Sequence, residues 1–252
     1  MSKGDSMQTI DRAMQILKSF SVNVPELSLA DLHRKLGVSK SSLQRILNTL
    51  ILQGVIDKDE KKKTYQLGLE LYFLGQLVEK NSHLLSTSKP YMEKLRDEFG
   101  ESVALNIIYQ KKRKCIGYVS GGHELTTITY IGQTSPLYAG ASAKLLTAHI
   151  PSEELCELLS EIEFKQIAEN TIMNKEELMK ELTKVYQEGF AVSWGERVKG
   201  AFSVSAPIRN RLDEVIAGVT IIIPTARVDE KKLNLYIESV KKTGLLISNE
   251  FK

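Results

Sequence analysis

The sequence predicts a two-domain α+β chain: an N-terminal winged helix-turn-helix, a linker helix, and a larger α/β domain with an antiparallel sheet. Three observations predict it. Residues 28–68 carry two short apolar stripes at helical spacing, then a charged hairpin. A further helical stripe, Leu69, Tyr72, Phe73, Leu77 and Val78, follows directly. Beyond it, β-rich runs and tight turns alternate with helical runs, the pattern of strands and helices sharing one core. The boundaries expected are 1–68, 69–84 and 85–252.

In chain order, Ile10, Ala13, Met14, Leu17 and Phe20 supply a first helix whose apolar face closes a small three-helix core. Arg12 on that helix either reaches a phosphate or faces solvent. Leu29, Leu32 and Leu36 mark the second helix, and Gly37 stands where a C-cap belongs. Ser39 is an N-cap for a third helix, buried through Leu43, Ile46, Leu47, Leu50 and Ile51. That burial leaves Lys40, Ser41, Gln44, Arg45 and Asn48 together on the polar surface, with Ser42 in the first turn. Such side chains read base edges and phosphates in a major groove. Two helices joined by a turn of this length make a helix-turn-helix.

Val55–Asp57 and Thr64–Leu67 then form two short strands around the tip Lys58 to Lys63. A lysine run alone is most simply a solvated turn. One strand after a helix-turn-helix it reads instead as a wing, with Lys61, Lys62 and Lys63 gripping backbone phosphate.

The blocks TIDRAMQILKSF, LSLADLHRKLGVSKSSLQRILNTLILQGVI and YQLGLELYFLG, followed by PLYAGASAKLLTA and GFAVSWGERVKGAFSVSAPIRNRLDEVIAGVTIIIP, resemble the IclR-type transcriptional regulators. The resemblance runs from about Met7 to the end. It implies a GAF/PAS-like C-terminal sensor domain for a small effector, and pairing of the winged helix and linker with those of a second subunit. Position by position, it implies that Ala141, Ser142, Ser193, Ser203, Thr220 and Ile222 line the effector pocket. In many relatives the positions of Ser193 and Ser203 hold an Asp and a Cys, and that of Ile222 a small polar residue, so no specific ligand transfers.

Composition is ordinary for a soluble globular protein: 252 residues, 42% hydrophobic and 26% charged. The net charge of +3 is unevenly placed. Through Leu69, 11 Lys plus Arg oppose 7 Asp plus Glu, giving +4 and leaving −1 for the remainder. The excess sits on the nucleic-acid-binding part, as counterion release requires. It is modest, so affinity leans on dimeric engagement. No apolar run reaches membrane-spanning length and no hydrophobic signal core opens the chain, so the expected compartment is the cytoplasm, without membrane contact. Cys115 and Cys156 make no CxxC pair, and His33, His83, His123 and His149 show no zinc spacing, so neither metal nor cofactor is expected.

Within the linker stripe, packing against its own winged helix competes with packing against a partner. Ser86–Ser88 reads as a loop, with Pro90 in the first turn of a new helix capped near Ser88. In the second domain, strands are expected at Val103–Tyr109 and Cys115–Val119, with a turn from Lys111 to Lys114, and again from Thr126 to Ile131. Helices follow at Gly140–Ile150 and Ser152–Ile162, then one started by Asn174 with Glu177 and ended by Gly189. The last strands are Phe190–Trp194, Phe202–Ile208 and Val215–Ile223, before a terminal helix at Glu230–Asn249.

No GxSxG, P-loop, GxGxxG or HExxH is present. The reading is a DNA-binding transcriptional regulator, a repressor rather than an activator and not an enzyme. Its partners would be a palindromic double-stranded operator, a small effector such as an organic acid, and its own copies in a homodimer or homotetramer. The rivals are an enzyme on a small acid that uses the winged helix for targeting or dimerisation, and a constitutive architectural DNA-binder. Serine and threonine hydroxyls, with the amides and dipole at the helix start by Gly140, would receive the anion. On half-buried strands the same hydroxyls are equally ordinary structural residues, and Tyr130, Tyr138, Trp194 and Phe202 read as core.

Overall fold

Capping chemistry sets the first helices. The computed structural model describes residues 7–123 and 129–252, and the chain divides into two units, Met1–Ser82 and His83–Lys252. In the first, α2 (Leu29–Leu36) starts at Ser28, whose hydroxyl accepts the Asp31 N–H while the Asp31 carboxylate accepts the Ser28 N–H. Such reciprocal caps are worth about 1 kcal/mol. It ends at Gly37, in the left-handed region at φ 65°. Three residues later α3 (Lys40–Leu52) begins, with the Ser39 hydroxyl accepting the Ser42 N–H. Leu27–Ser28 (β1), Ile56–Asp59 (β2) and Thr64–Leu67 (β3) form a sheet ordered β1-β3-β2. The core joins Ile16, Leu32, Leu43, Leu47, Ile56 and Tyr65.

Three expectations change here. The face of α1 (Gln8–Leu17) that enters the core runs through Ala13, Ile16 and Leu17, with Phe20 just beyond; Ile10 and Met14 are exposed. The core admits one narrow stripe of a ten-residue helix, and Ile16 fills it. The wing strands extend through Asp59, so Lys58 lies in a strand and the turn is confined to residues 60–63. Finally, α4 (Glu70–Asn81) buries no residue. Leu69, Tyr72, Phe73, Leu77 and Val78 are all exposed, so the first unit leaves this stripe uncovered. Its junction with the wing is nonetheless close-packed: a Cβ on Gly68 would lie 2.1 Å from the Gly54 carbonyl oxygen.

The second unit carries a six-stranded antiparallel sheet, ordered β6-β5-β4-β9-β8-β7. The strands are β4 (Ser102–Tyr109), β5 (Lys112–Val119), β6 (Thr134–Ser135), β7 (Ala191–Trp194), β8 (Ala201–Arg209) and β9 (Val215–Pro224). One face, through Val103, Leu105, Phe202, Val204, Val219 and Ile221, packs on α5 (His83–Phe99) and α9 (Leu233–Asn249). The other lies under α6 (Ala141–Ala148), which packs with α8 (Lys175–Glu188) through Leu145, Leu178 and Leu182. The period of two therefore points Ala104, Asn106, Ser203, Ser205, Thr220 and Ile222 towards α6. α7 (Ser152–Glu161) flanks this layer through Leu155 and Leu159.

The expected loop at Ser86–Ser88 is instead helix: α5 is continuous, with Pro90 inside it. An interior proline costs about 3 kcal/mol, because its ring offers no N–H to the preceding turn. Leu84, Leu85, Met92 and Leu95 all pack on the sheet core, and that burial holds the helix through the break. The β4–β5 turn is shorter than expected. Gln110 and Lys111 both take positive φ, 51° and 56°, as in a two-residue type I′ hairpin, which puts Lys112–Lys114 in β5. Of the strand expected at Thr126–Ile131, residues 126–128 lie outside the described residues, and 129–131 are not strand. The edge pairing with β5 is made by Thr134–Ser135, because the turn at Ile131–Gly132 comes first. Tyr138 and Phe202 are core, while Trp194 stands partly exposed at the sheet edge.

Candidate nucleic-acid interface and ligand cavity

At 100° per residue, Lys40, Ser41, Gln44, Arg45 and Asn48 occupy one side of α3, opposite Leu43, Ile46, Leu47 and Leu50. Lys40, Ser41, Arg45 and Asn48 are exposed. Gln44 is held in place: its amide donates to Asn48 Oδ1 at 2.8 Å, and its carbonyl accepts the buried Tyr65 hydroxyl at 3.4 Å. That pair of bonds ties the polar face to the wing strand β3. Ser42 turns to the other flank beside Ile46 and is half-buried, and the Ser39 hydroxyl is engaged in capping. Arg12 is half-exposed on α1.

The wing is less cationic than its sequence. Lys58 pairs with Glu60, and Lys62 reaches back 2.8 Å to Glu26, which also accepts the Thr64 hydroxyl. The Lys62 bond holds the Glu26 carboxyl below the usual carboxylate range, and Glu26 in turn raises Lys62. Lys61 and Lys63 are exposed, and among the described residues neither makes an ion pair.

The second unit encloses a cavity between the sheet and the start of α6, lined by all six residues expected there: Ala141, Ser142, Ser193, Ser203, Thr220 and Ile222. Its unfilled space, open solvent at the mouth included, is about 420 Å³, of which about 20 Å³ admits the centre of a water molecule. The smaller figure bounds what fits without movement, and it is room for one or two waters. Among the described residues, the hydroxyls of Ser142, Ser193 and Ser203 have no hydrogen-bond partner.

Thr220 behaves differently from the free donor expected of it. It sits in a chain of bonds that runs from Arg113 Nη1 to Asn106 Oδ1 (2.8 Å), from Asn106 Nδ2 to Thr220 Oγ1 (3.2 Å), and between Thr220 and Ser205 (2.9 Å). Ser205 closes the chain on the Val219 carbonyl. Arg113 Nε donates to Ser135, while its Nη2 has no partner. The start of α6 also differs. Gly140, at φ 94°, caps the helix, and its N–H is taken by Glu196 Oε2 at 3.0 Å, so this amide is not free for a ligand. Glu196 is paired through Oε1 with Lys144 (2.6 Å), a 2% exposed lysine that also holds Glu181 (2.8 Å). Burial raises Glu196 above the usual carboxylate range, against the pull of Lys144 and the Gly140 amide.

Sequence reading missed Asn106, Arg113, Glu196 and Arg197, all of which line the cavity. Arg113 was hidden in the KKRK run; its spacing of two from buried Cys115 on β5 was the available signal. Glu196 and Arg197 lie in the loop after β7, where no periodicity operates. Among the described residues, no group of three or more His, Cys, Asp or Glu is placed to hold a metal ion, and no helix is long and apolar enough to cross a membrane.

Family models match both units. A model of the IclR helix-turn-helix domain matches residues 9–60, and one of the bacterial transcriptional regulator IclR C-terminal region matches residues 76–249. The chain is 32% identical over 243 residues to the HTH-type transcriptional regulator KipR of Bacillus subtilis (strain 168), covering 96% of each chain. It is 30% identical over 244 residues to the HTH-type transcriptional regulator XynR of Escherichia coli (strain K12), again covering 96% of each. The structure of an IclR homolog from Microbacterium hydrocarbonoxydans, complexed with 4-hydroxybenzoate, shares the fold with a TM-score of 0.84. It is 20% identical, and the match covers 97% of this chain and 99% of that one.

Proposed function

This chain belongs to the IclR family of bacterial transcriptional regulators, and from that premise we propose how its two units divide the work. Arg45, Gln44, Asn48, Lys40 and Ser41 enter the major groove of an operator, with Ser39, Ser42 and Arg12 beside the phosphates and Lys61–Lys63 on the flanking backbone. The exposed stripe of α4, with Met7 and with Ile10 and Met14 of α1, is the surface on which a second copy docks. A homodimer reading a palindrome follows, and two dimers can make a tetramer. The exposure supports this: Leu69 and Val78 are 68% and 66% accessible, a poor arrangement for a free monomer in water.

The cavity is the effector site, and the observation that carries this reading is its set of hydroxyls without partners, Ser142, Ser193 and Ser203, beside the start of α6. Hydroxyl donors without a protein partner on the wall of a narrow cavity suit an anionic oxygen ligand. A carboxylic acid is further supported by the distant homolog complexed with 4-hydroxybenzoate. The protein acts in the cytoplasm as a repressor, and the acid releases it by binding the DNA-incompetent arrangement more tightly.

Selection of bound genomic fragments gives the operator, and the neighbouring genes give candidate acids. Ser203→Leu, which fills the cavity and removes a donor, is then expected to bind operator with wild-type affinity yet no longer respond to the acid that shifts the wild type. A wild-type midpoint and amplitude in that variant would place the effector elsewhere. Turnover of the acid by the purified protein would favour the enzyme reading.

A further inference from the structure

Four cations of the second unit fall into two groups. Lys144 holds two carboxylates, and Arg227 holds Glu101 through two bonds of 2.6 and 2.7 Å. Arg113 and Arg197 line the cavity, and among the described residues neither has a carboxylate partner. Arg113 is 1% exposed, with Nε and Nη1 fixed by Ser135 and Asn106 and with Nη2 unsatisfied. Arg197 makes two long bonds to neutral groups, 3.3 Å to Gln133 Oε1 and 3.4 Å to Thr129 Oγ1. Glu196, the one acid on the cavity wall among the described residues, is answered by Lys144 and the Gly140 amide. The cavity therefore carries two positive charges that the described residues do not neutralise.

Holding such charges out of water is costly unless something compensates them. Burial and the Arg197 charge push the Arg113 guanidinium down to about 10, so it is still protonated at neutral pH. The two groups enter from different walls, Arg113 from β5 in the sheet and Arg197 from the loop after β7. Two uncompensated positive charges are matched by a ligand with two negative charges better than by one with a single charge.

We propose that Arg113 and Arg197 make the cavity selective for small dicarboxylates over monocarboxylates of the same carbon count. This rests on the reading of the cavity as the effector site. Small size follows from the tight space, and Arg197, held only by long hydrogen bonds, is less firmly fixed there than Arg113.

The test uses the full-length protein at neutral pH and calorimetric titration with malonate against propionate, succinate against butyrate, and inorganic phosphate. At least one dicarboxylate is expected to bind about tenfold or more tighter than its monoanionic counterpart, the scale of one charge-assisted contact. Arg197→Gln and Arg113→Gln should each weaken it by about that factor and erase the preference. Arg197→Gln is the safer variant, because Arg113 also holds Asn106 and Ser135. Equal affinities in the wild type, no binding of any probe, tighter binding of phosphate, or a preference retained in Arg197→Gln would overturn the inference. Ser203→Leu separates the two levels. Loss of all binding there, with the preference unchanged in Arg197→Gln, sinks the charge selection and leaves the cavity in place. Intact dicarboxylate binding in Ser203→Leu sinks the cavity reading, and the inference with it.

Discussion

The polar face of α3 and the cavity beneath α6 present donors in opposite ways. On α3, Lys40, Arg45 and Asn48 stand in water, where an unpaired charge costs almost nothing, and the helix beneath them is secured by Ser39 and by Leu43, Ile46 and Leu47. At the cavity, Arg113 and Thr220 are nearly out of water and joined through Asn106, and beside it buried Lys144 is held by Glu196 and Glu181. Function and stability are separable on the first surface and merged in the second. An exposed face reaches its partner through flexible side chains that order on contact, whereas a buried one is fixed beforehand and bears the cost of desolvation in every molecule.

The sharpest way to break that comparison is Lys144→Met. It leaves Glu196 and Glu181 facing each other without the cation between them, and removing one member of a buried ionic group costs about 3–5 kcal/mol. The second unit should therefore unfold at markedly lower urea concentration, while the first keeps its own transition. An unchanged midpoint would mean that water reaches Lys144 and its two carboxylates and that this buried group does not hold the second unit together.

A smaller effect is expected on α3, and of a different kind. Arg45→Ala should lose about 1–3 kcal/mol of operator binding, the worth of a good bidentate base contact, with no change in urea midpoint. Gln44→Ala should lose comparable binding and also a few tenths of a kcal/mol of stability, since it frees the Tyr65 hydroxyl and Asn48. Gel-shift titrations paired with urea melts separate the two. A stability loss in Arg45→Ala, or wild-type specificity in both, would remove the contrast.

The same contrast explains what the sequence disclosed. A polar face on an amphipathic helix is written in consecutive turns, so α3, its cap at Ser39 and its buried stripe were legible from spacing alone. The hydroxyls at 142, 193, 203 and 220 came from family resemblance, and the structure places all four on the lining of one cavity. Arg113, Glu196, Arg197 and Asn106 were not legible, because strand pairing and the loop after β7 bring them together across some ninety positions. Local signals also failed where tertiary burial outweighed them: three hydroxylated residues mark a loop and Pro90 the start of a new helix, yet Leu85 and Met92 keep one helix intact. On α1 the expected face was right in part: Ala13, Leu17 and Phe20 join the core, while Ile10 and Met14 point outward and Ile16, not singled out, fills it.

The wing offers the finest division, because it mixes the two regimes within three residues. Lys61 and Lys63 are exposed and unpaired among the described residues, whereas Lys62 is tied to Glu26. Each phosphate contact contributes nearly one unit to the slope of log affinity against log salt. Lys61→Ala and Lys63→Asn should each flatten that slope by up to one unit; asparagine is chosen at 63 because the backbone there has φ 55°, which it tolerates. Lys62→Ala should flatten it less, since reaching a phosphate requires leaving Glu26 first. Glu26→Gln should do the reverse, releasing Lys62 and steepening the slope slightly with a small gain in affinity. An exposed ion pair is worth little, so the expected differences are small and need titrations across several salt concentrations. If Lys62→Ala matches Lys61→Ala and Glu26→Gln changes nothing, the pair with Glu26 gives way on contact with DNA, and the whole wing belongs with α3 as a surface that orders only when it meets its partner.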